Sequence, residues 1–165
     1  FWFTARLRKG QAPATAQPAS GPGAAEAALL RRHPGRRILL VEDEPVNREV
    51  TSFLLSDAGQ WIEVAEDGAQ AVAMVAREPF DLVLMDMQMP RMDGLEATRL
   101  IRCSALGRTL PILALTANAF LEDKALCLEA GMNDFISKPV DPDVLFSTVL
   151  KWLDRTAAPD DAKAS

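Results

Sequence analysis

An α/β fold, with a parallel sheet covered by helices on both faces, is predicted by three observations. Short, continuously apolar runs recur along the chain, each is followed by a helix-period segment, and the connections between them are short. The chain has 165 residues, 48% hydrophobic and 25% charged, enough for one domain with a proper core. Five strands and five helices alternate in this pattern.

"RRILLVED" at 36–43 reads as the first strand, and Pro45 opens a helix carrying Val46, Val50, Phe53 and Leu54 at helical spacing. "QWIEVAED" at 60–67 is the second strand, and from Gly68 a helix places Ala71, Val72 and Val75 on one face. "DLVLMD" at 81–86 is the third strand, with a helix from Gly94 to about Arg102. "LPILALTA" at 110–117 and "DFISKP" at 134–139 supply the last two. Helices follow near Ala119–Ala130 and over Asp141–Leu153, the latter with Val144, Leu145, Thr148, Val149 and Trp152 as its inward stripe. Residues 10–35, biased to Ala, Pro, Gly, Ser and Gln, are read as a flexible linker with a short helical patch at Ala24–Arg32. His33 within it is expected to be a solvated ring. Residues 155–165 read as a weak C-terminal tail.

Charge and composition exclude several functions. A formal charge of -5 and a pI near 4.9 argue against nucleic acid as a direct partner, which requires clustered Lys and Arg. No apolar run approaches a membrane span, so no membrane contact by this fragment is expected. Cys103 and Cys127 fit no metal-ligand spacing and are read as reduced structural thiols. Met85, Met87, Met89 and Met92 are packing and loop residues. The chain opens on Phe1, which suggests a piece of a longer protein.

A lone ionised carboxylate is costly inside an apolar strand, so Asp86, after Leu82–Met85, belongs where the strand ends. In such folds ligands bind outside the carboxyl ends of the strands. Glu42, Asp43 and Glu44 end the first strand, Thr116 the fourth, and Lys138, before Pro139, the fifth. Crowded carboxylates repel one another unless a cation sits among them, and hard oxygen ligands suit Mg²⁺. Lys138 and the Thr116 hydroxyl are placed to hold phosphoryl oxygens, leaving Asp86 as a nucleophile that would form an aspartyl phosphate. Glu44, before Pro45, is read as favouring a helix N-terminus instead.

"ILLVEDE", "LVLMDMQMPRMDGLEATRLIR", "PILALTANA" and "GMNDFISKP" together resemble the receiver domain of two-component response regulators, over residues 36–154. The resemblance implies a flavodoxin-like (CheY-like) doubly wound five-stranded parallel sheet of order 2-1-3-4-5. It makes Asp86 the phosphoacceptor and Asp43 a direct Mg²⁺ ligand, and gives Glu42 a metal-water role and Gln88 a ligand role through its backbone carbonyl. Thr116 and Lys138 become phosphoryl contacts, with Thr116 and Phe135 as the switch pair. Phosphate would draw Thr116 inward, let Phe135 turn in, and change the face formed by the fourth predicted helix, the fifth strand and the fifth predicted helix. Ala117, small, leaves that site open. Two positions depart from the commoner pattern: Glu42 stands where many members have Asp, and Phe135 where many have Tyr.

"FWFTARL" at the start resembles the closing strand of a histidine-kinase ATP-binding domain, so residues 1–9 are read as its remnant. This implies a hybrid sensor histidine kinase with its receiver at the C-terminal side, cytoplasmic, in a parent that membrane anchoring would suit. The implied partners are a phosphohistidine domain of the same chain and a histidine phosphotransfer protein. For the receiver itself, the resemblance implies a phosphoacceptor that promotes its own phosphorylation and dephosphorylation. Rivals are a pseudo-receiver that only binds partners and a haloacid-dehalogenase-like phosphatase. The latter needs a second aspartate two residues after the nucleophile, where Gln88 stands and cannot act as an acid. Flavin binding is set aside because "EDEPVN" would repel a phosphate without a metal.

Overall fold

The computed structural model describes residues 23–89, 92–117 and 121–157, without the side chains of residues 121–123 and 157. Its order is α1 (Ala24–Arg32), β1 (Arg37–Val41), α2 (Pro45–Asp57), β2 (Trp61–Ala65), α3 (Gly68–Arg77), β3 (Leu82–Asp86), α4 (Gly94–Cys103), β4 (Ile112–Thr116), α5 (Leu121–Ala130), β5 (Asp134–Ser137) and α6 (Pro142–Ala157). All strand pairs are parallel and the sheet order is β2-β1-β3-β4-β5. Every expected strand is present, trimmed to its paired residues. The remnant over 1–9, Asn118 and most of the C-terminal tail lie outside the described residues.

Side chains alternate across a strand, so each central strand feeds two cores. Ile38, Leu40, Leu82, Leu84, Leu113, Leu115 and Ile136 face α1, α2 and α6, where they meet Leu29, Leu55, Leu145, Val149 and Leu153. Leu39, Val41, Val83, Met85, Ile112 and Ala114 face α3, α4 and α5, meeting Ala71, Val75, Ala97, Ile101 and Cys127. β1, β3 and β4 are buried almost end to end, whereas β2, on the edge, leaves Trp61 70% exposed. Met87, Met89 and Met92 pack against the second core, and Cys127 Sγ lies 3.6 Å from Met87 Sδ.

Three expectations need correction. The flexible linker does not continue through residues 23–35, because the helical patch is α1, docked with Leu29 fully buried. His33 is not solvated: it is 4% exposed, with Nε2 2.6 Å from Asp154 Oδ1. The inward stripe of α6 runs through Leu145, Phe146, Val149 and Leu153, leaving Val144 exposed. In α2 the residues at helical spacing include an outward set, with Val46, Val50 and Phe53 65%, 50% and 67% exposed, while Thr51 and Leu55 face the core. Helical periodicity shows that a face exists, but burial is decided by what packs against it.

Capping fixes where the helices begin. Asp67 Oδ1 accepts from Gln70 N at 2.8 Å and Asp93 Oδ1 from Glu96 N at 2.9 Å, satisfying otherwise orphaned donors at the starts of α3 and α4. Arg102 ties the far ends together: Nη1 donates to the carbonyls of Gly107 and Leu110 at 2.6 Å each, while Nη2 donates to Gly131 O at 2.6 Å and Asn133 Oδ1 at 2.7 Å. Asn133 Oδ1 also accepts from Ile112 N at 2.8 Å, so this cluster sets the entry into β4 and β5. Asp134 is pulled up by burial, but bonds from Trp152 Nε1 (2.9 Å), the Phe135 amide (2.9 Å) and Lys151 Nζ (3.2 Å) outweigh that and hold it below the usual carboxylate range.

Replacing Arg102 with Ala leaves several half-buried carbonyls without a donor. A loss of about 2–4 kcal/mol in denaturant unfolding is expected. Arg102→Lys should restore only part of it, since one ammonium cannot span the same fork.

Candidate functional site

The parallel register brings the strand ends to one rim. Val41 pairs with Met85 and Asp86 with Leu115, so Glu42, one step beyond Val41, lies level with Asp86. Thr116 pairs with Ser137, and the Lys138 amide donates to Thr116 O at 2.8 Å. Met87 N donates to Leu115 O at 3.0 Å, extending the β3–β4 ladder one residue past Asp86.

At that rim Lys138 Nζ lies 3.1 Å from both Glu42 Oε2 and Asp86 Oδ1. Both carboxylates are almost wholly buried, at 1% and 3% exposure. One oxygen from each of Glu42, Asp43 and Asp86 falls within 4.8 Å of the others. Backbone amides add partial positive charge: Gln88 N donates to Asp86 Oδ1 at 3.1 Å and Glu44 N to Glu42 Oε1 at 3.2 Å. Glu44 accepts from Val46 N at 3.4 Å, the N-cap role expected of it. The Lys138–Pro139 peptide is cis.

Among the described side chains, the three carboxylates of the cluster share one ammonium, while the Arg48 guanidinium is engaged by the Glu42 carbonyl and Glu66. Burial, reinforced by the hydrogen bond and negative charge of Asp86, pushes Glu42 up to about 7, with Lys138 opposing the rise. Burial would lower Lys138, but its bonds and charge interactions with Asp86 and Glu42 outweigh that and raise it. A hard, oxygen-only donor set with an excess of acid fits a small divalent cation.

The sequence-predicted residues mostly converge. Glu42, Asp43, Asp86 and Lys138 form one cluster, with Thr116 buried beside them at the end of β4 and Gln88 two residues beyond Asp86. Phe135 stands apart. It pairs with Ala114, two residues below Thr116 on the same sheet face, and lies half-buried with Lys124 Nζ 4.4 Å from its ring centroid.

Two residues that shape the rim were not singled out in the sequence. A Cβ on Gly94 would come within 2.4 Å of Asp86 O, so glycine lets α4 start directly against the end of β3. Arg48 Nη1 donates to Glu42 O at 3.2 Å, holding the peptide between two of the acids. The "MDG" at 92–94 carried a signal for Gly94, whereas nothing marks Arg48 among surface arginines.

With this geometry in view, the comparisons with known proteins are specific. The family model for the response regulator receiver domain matches residues 38–150. The chain belongs to this family. It is 45% identical over 119 residues to the sensor protein GacS of Pseudomonas syringae pv. syringae, a match covering 70% of this chain and 13% of that protein. The sensor histidine kinase RcsC of Salmonella typhimurium is 42% identical over 118 residues, covering 72% of this chain and 12% of RcsC. The chain therefore spans about an eighth of the length of these relatives. Among solved structures, the receiver domain of sensor histidine kinase PA1611 from Pseudomonas aeruginosa PAO1 is 44% identical, with a TM-score of 0.69, over 73% of this chain and 98% of that one. It holds a magnesium ion coordinated in its active site cleft. The receiver of Saccharomyces cerevisiae Ssk1, solved with the histidine phosphotransfer protein Ypd1, is 29% identical with a TM-score of 0.70, over 75% of this chain and 92% of that one. Among the described residues of this receiver, no helix is long and apolar enough to cross a membrane.

The raised carboxyl gives a pH test on metal-free protein. Folding holds the Glu42 proton more tightly than the unfolded chain does, so stability falls as pH rises from about 4.5 through about 7. With chelator present, Glu42→Gln should gain about 1–3 kcal/mol over wild type at pH 8 in denaturant unfolding, and little at pH 4.5. An equal gain at both pH values contradicts this.

Proposed function

We propose that this receiver accepts a phosphoryl group on Asp86 from a phosphohistidine, in a Mg²⁺-dependent reaction. The observation that carries it is the single cluster in which Lys138 bridges Glu42 and Asp86 while Asp43 completes an acidic triad. Glu42, Asp43, Asp86 and the backbone carbonyl of Gln88 would hold Mg²⁺, which when bound neutralises the acids and gathers phosphoryl oxygens.

Each residue then has a separate task. An Asp86 carboxylate oxygen attacks phosphorus; the P–O bond forms as the P–N bond breaks, and the imidazole nitrogen keeps the electron pair and takes up a proton. Lys138 is charged and already within bonding distance of Asp86, so its Nζ can follow the negative charge onto the phosphoryl oxygens. Thr116, at the end of β4, supplies a hydroxyl to the remaining oxygen. Phe135 would answer Thr116's movement and change the face formed by α5, β5 and α6, a reading supported by its place on the same sheet face two residues below.

The outward stripe of α2 supports a protein donor. Val46, Val50 and Phe53 recur at i, i+4 and i+7 and are exposed beside a cleft lined by Glu42, Asn47, Val50, Lys138 and Pro139. An apolar stripe at the mouth of an acidic site suits a helical partner carrying the phosphohistidine. The Ypd1 complex of the Ssk1 receiver, and the sensor kinases among the relatives, support a phosphotransfer protein and a hybrid histidine kinase as partner and parent. "FWFTARL" at 1–7 agrees with that parentage, which implies a cytoplasmic receiver.

Incubation with Mg²⁺ and phosphoramidate should place one acid-stable, base-labile phosphate on wild type and none on Asp86→Asn. Sustained release of inorganic phosphate from phosphomonoesters would instead indicate a phosphatase. Phe53→Asp should slow transfer from a phosphorylated histidine phosphotransfer protein at least tenfold, while labelling by phosphoramidate stays at the wild-type rate. A parallel loss in both assays would contradict a docking role for the stripe.

A further inference from the structure

α1 and Asp154 lie outside residues 38–150, the part of the chain that matches the receiver family. Yet α1 is built into the fold. Leu29 is fully buried in the same core as Leu145, Val149 and Leu153, and Leu30 lies against the α2–β2 turn, where a Cβ on Gly59 would come within 2.6 Å of Leu30 Cδ2. Gly35 N donates to Gly59 O at 2.8 Å, fixing the exit from α1 into β1.

Polar ties at both ends give the helix a direction. Gly23 N donates to Asp143 Oδ1 at 3.3 Å in the first turn of α6. Eleven residues along α6, Asp154 Oδ1 accepts from His33 Nε2 at 2.6 Å and Arg32 Nη2 at 3.0 Å. The donors are ten residues apart and the acceptors eleven, so α1 and α6 run parallel, in step along their rise of about 1.5 Å per residue. Because α6 follows Lys138–Asp141 directly, its first turn lies at the rim that carries Asp86. β1 begins at the opposite edge, about 16 Å away at strand rise. A helix that merely covered apolar surface would need no tie at either end. This one is pinned so that its start lies at the rim.

We propose that α1 is a return strut: docked along α6, it sets Gly23 at the rim holding Asp86 and Lys138, so that a phosphohistidine donor preceding it in the same chain is tethered from that rim rather than from the opposite edge of the sheet. The inference rests on the reading of Asp86 as phosphoacceptor and adds how a donor in the same chain is positioned. A tether anchored at the rim has less distance to span to Asp86 than one leaving from the opposite edge, which raises the effective concentration of the donor.

Two measurements test it. In a Cys103→Ser, Cys127→Ala background, a benzophenone maleimide on Ala24→Cys should crosslink to residues 139–144, and Asp154→Ala should lower those adducts at least fivefold. Adducts on residues 36, 60 or 81 of the opposite edge, or yields indifferent to Asp154→Ala, would overturn the strut. In the second measurement a histidine phosphotransfer domain is fused ahead of Phe1. Single-turnover transfer from its phosphohistidine should fall at least fivefold in Asp154→Ala and in the milder pair Arg32→Ala, His33→Gln, while the same domain added in trans, and phosphoramidate, label all variants as they label wild type. Equal intrachain rates would overturn the inference. Failure of phosphoramidate to label the wild type at all would count against Asp86 as acceptor instead.

Discussion

The whole arrangement turns on one electrostatic constraint: three carboxylates share a rim with a single ammonium group. Lys138 touches both buried acids at 3.1 Å, and Glu42 rises to about 7 because one cation does not offset the burial and repulsion. Such a site holds unfavourable energy that a small divalent cation, which its oxygen-only donor set fits, would relieve.

The fold meets that cost by spreading its support. Two apolar cores, one on each side of the sheet, hold β1, β3 and β4 up to the residue where charge begins. Backbone amides of Glu44 and Gln88 point at the carboxylates, and Arg48 holds the carbonyl between Glu42 and Asp43. Gly94 lets α4 start against the end of β3 without a side chain in the way. These contacts hold the acids without being acids themselves, so the geometry of the cluster depends on residues outside it.

How much of this could be read from the chain differs by element. The strands were legible because continuous apolar runs such as Leu82–Met85 have no other home than a doubly covered sheet. Asp86 and Lys138 were legible because a charge beside such a run has to lie at its end. The outward face of α2 was not, since Val46, Val50 and Phe53 have the spacing of a core stripe and only the packing of Thr51 and Leu55 shows otherwise. The helix of α1 was legible at Ala24–Arg32, but its docking was not, because that depends on Leu29 and on Asp154, 121 residues after His33. Pairings of that separation leave no trace in local pattern.

The most direct test of the site as a whole is a crystal of the receiver grown with Mn²⁺ and beryllium fluoride, a mimic of the bound phosphoryl group, with the metal located by anomalous scattering. One metal is expected between Asp43 and Asp86, with the fluoride adduct on Asp86 and Lys138 Nζ turned from Glu42 onto the adduct. A metal bound elsewhere, or an adduct on Asp86 that Lys138 does not touch, would contradict that arrangement.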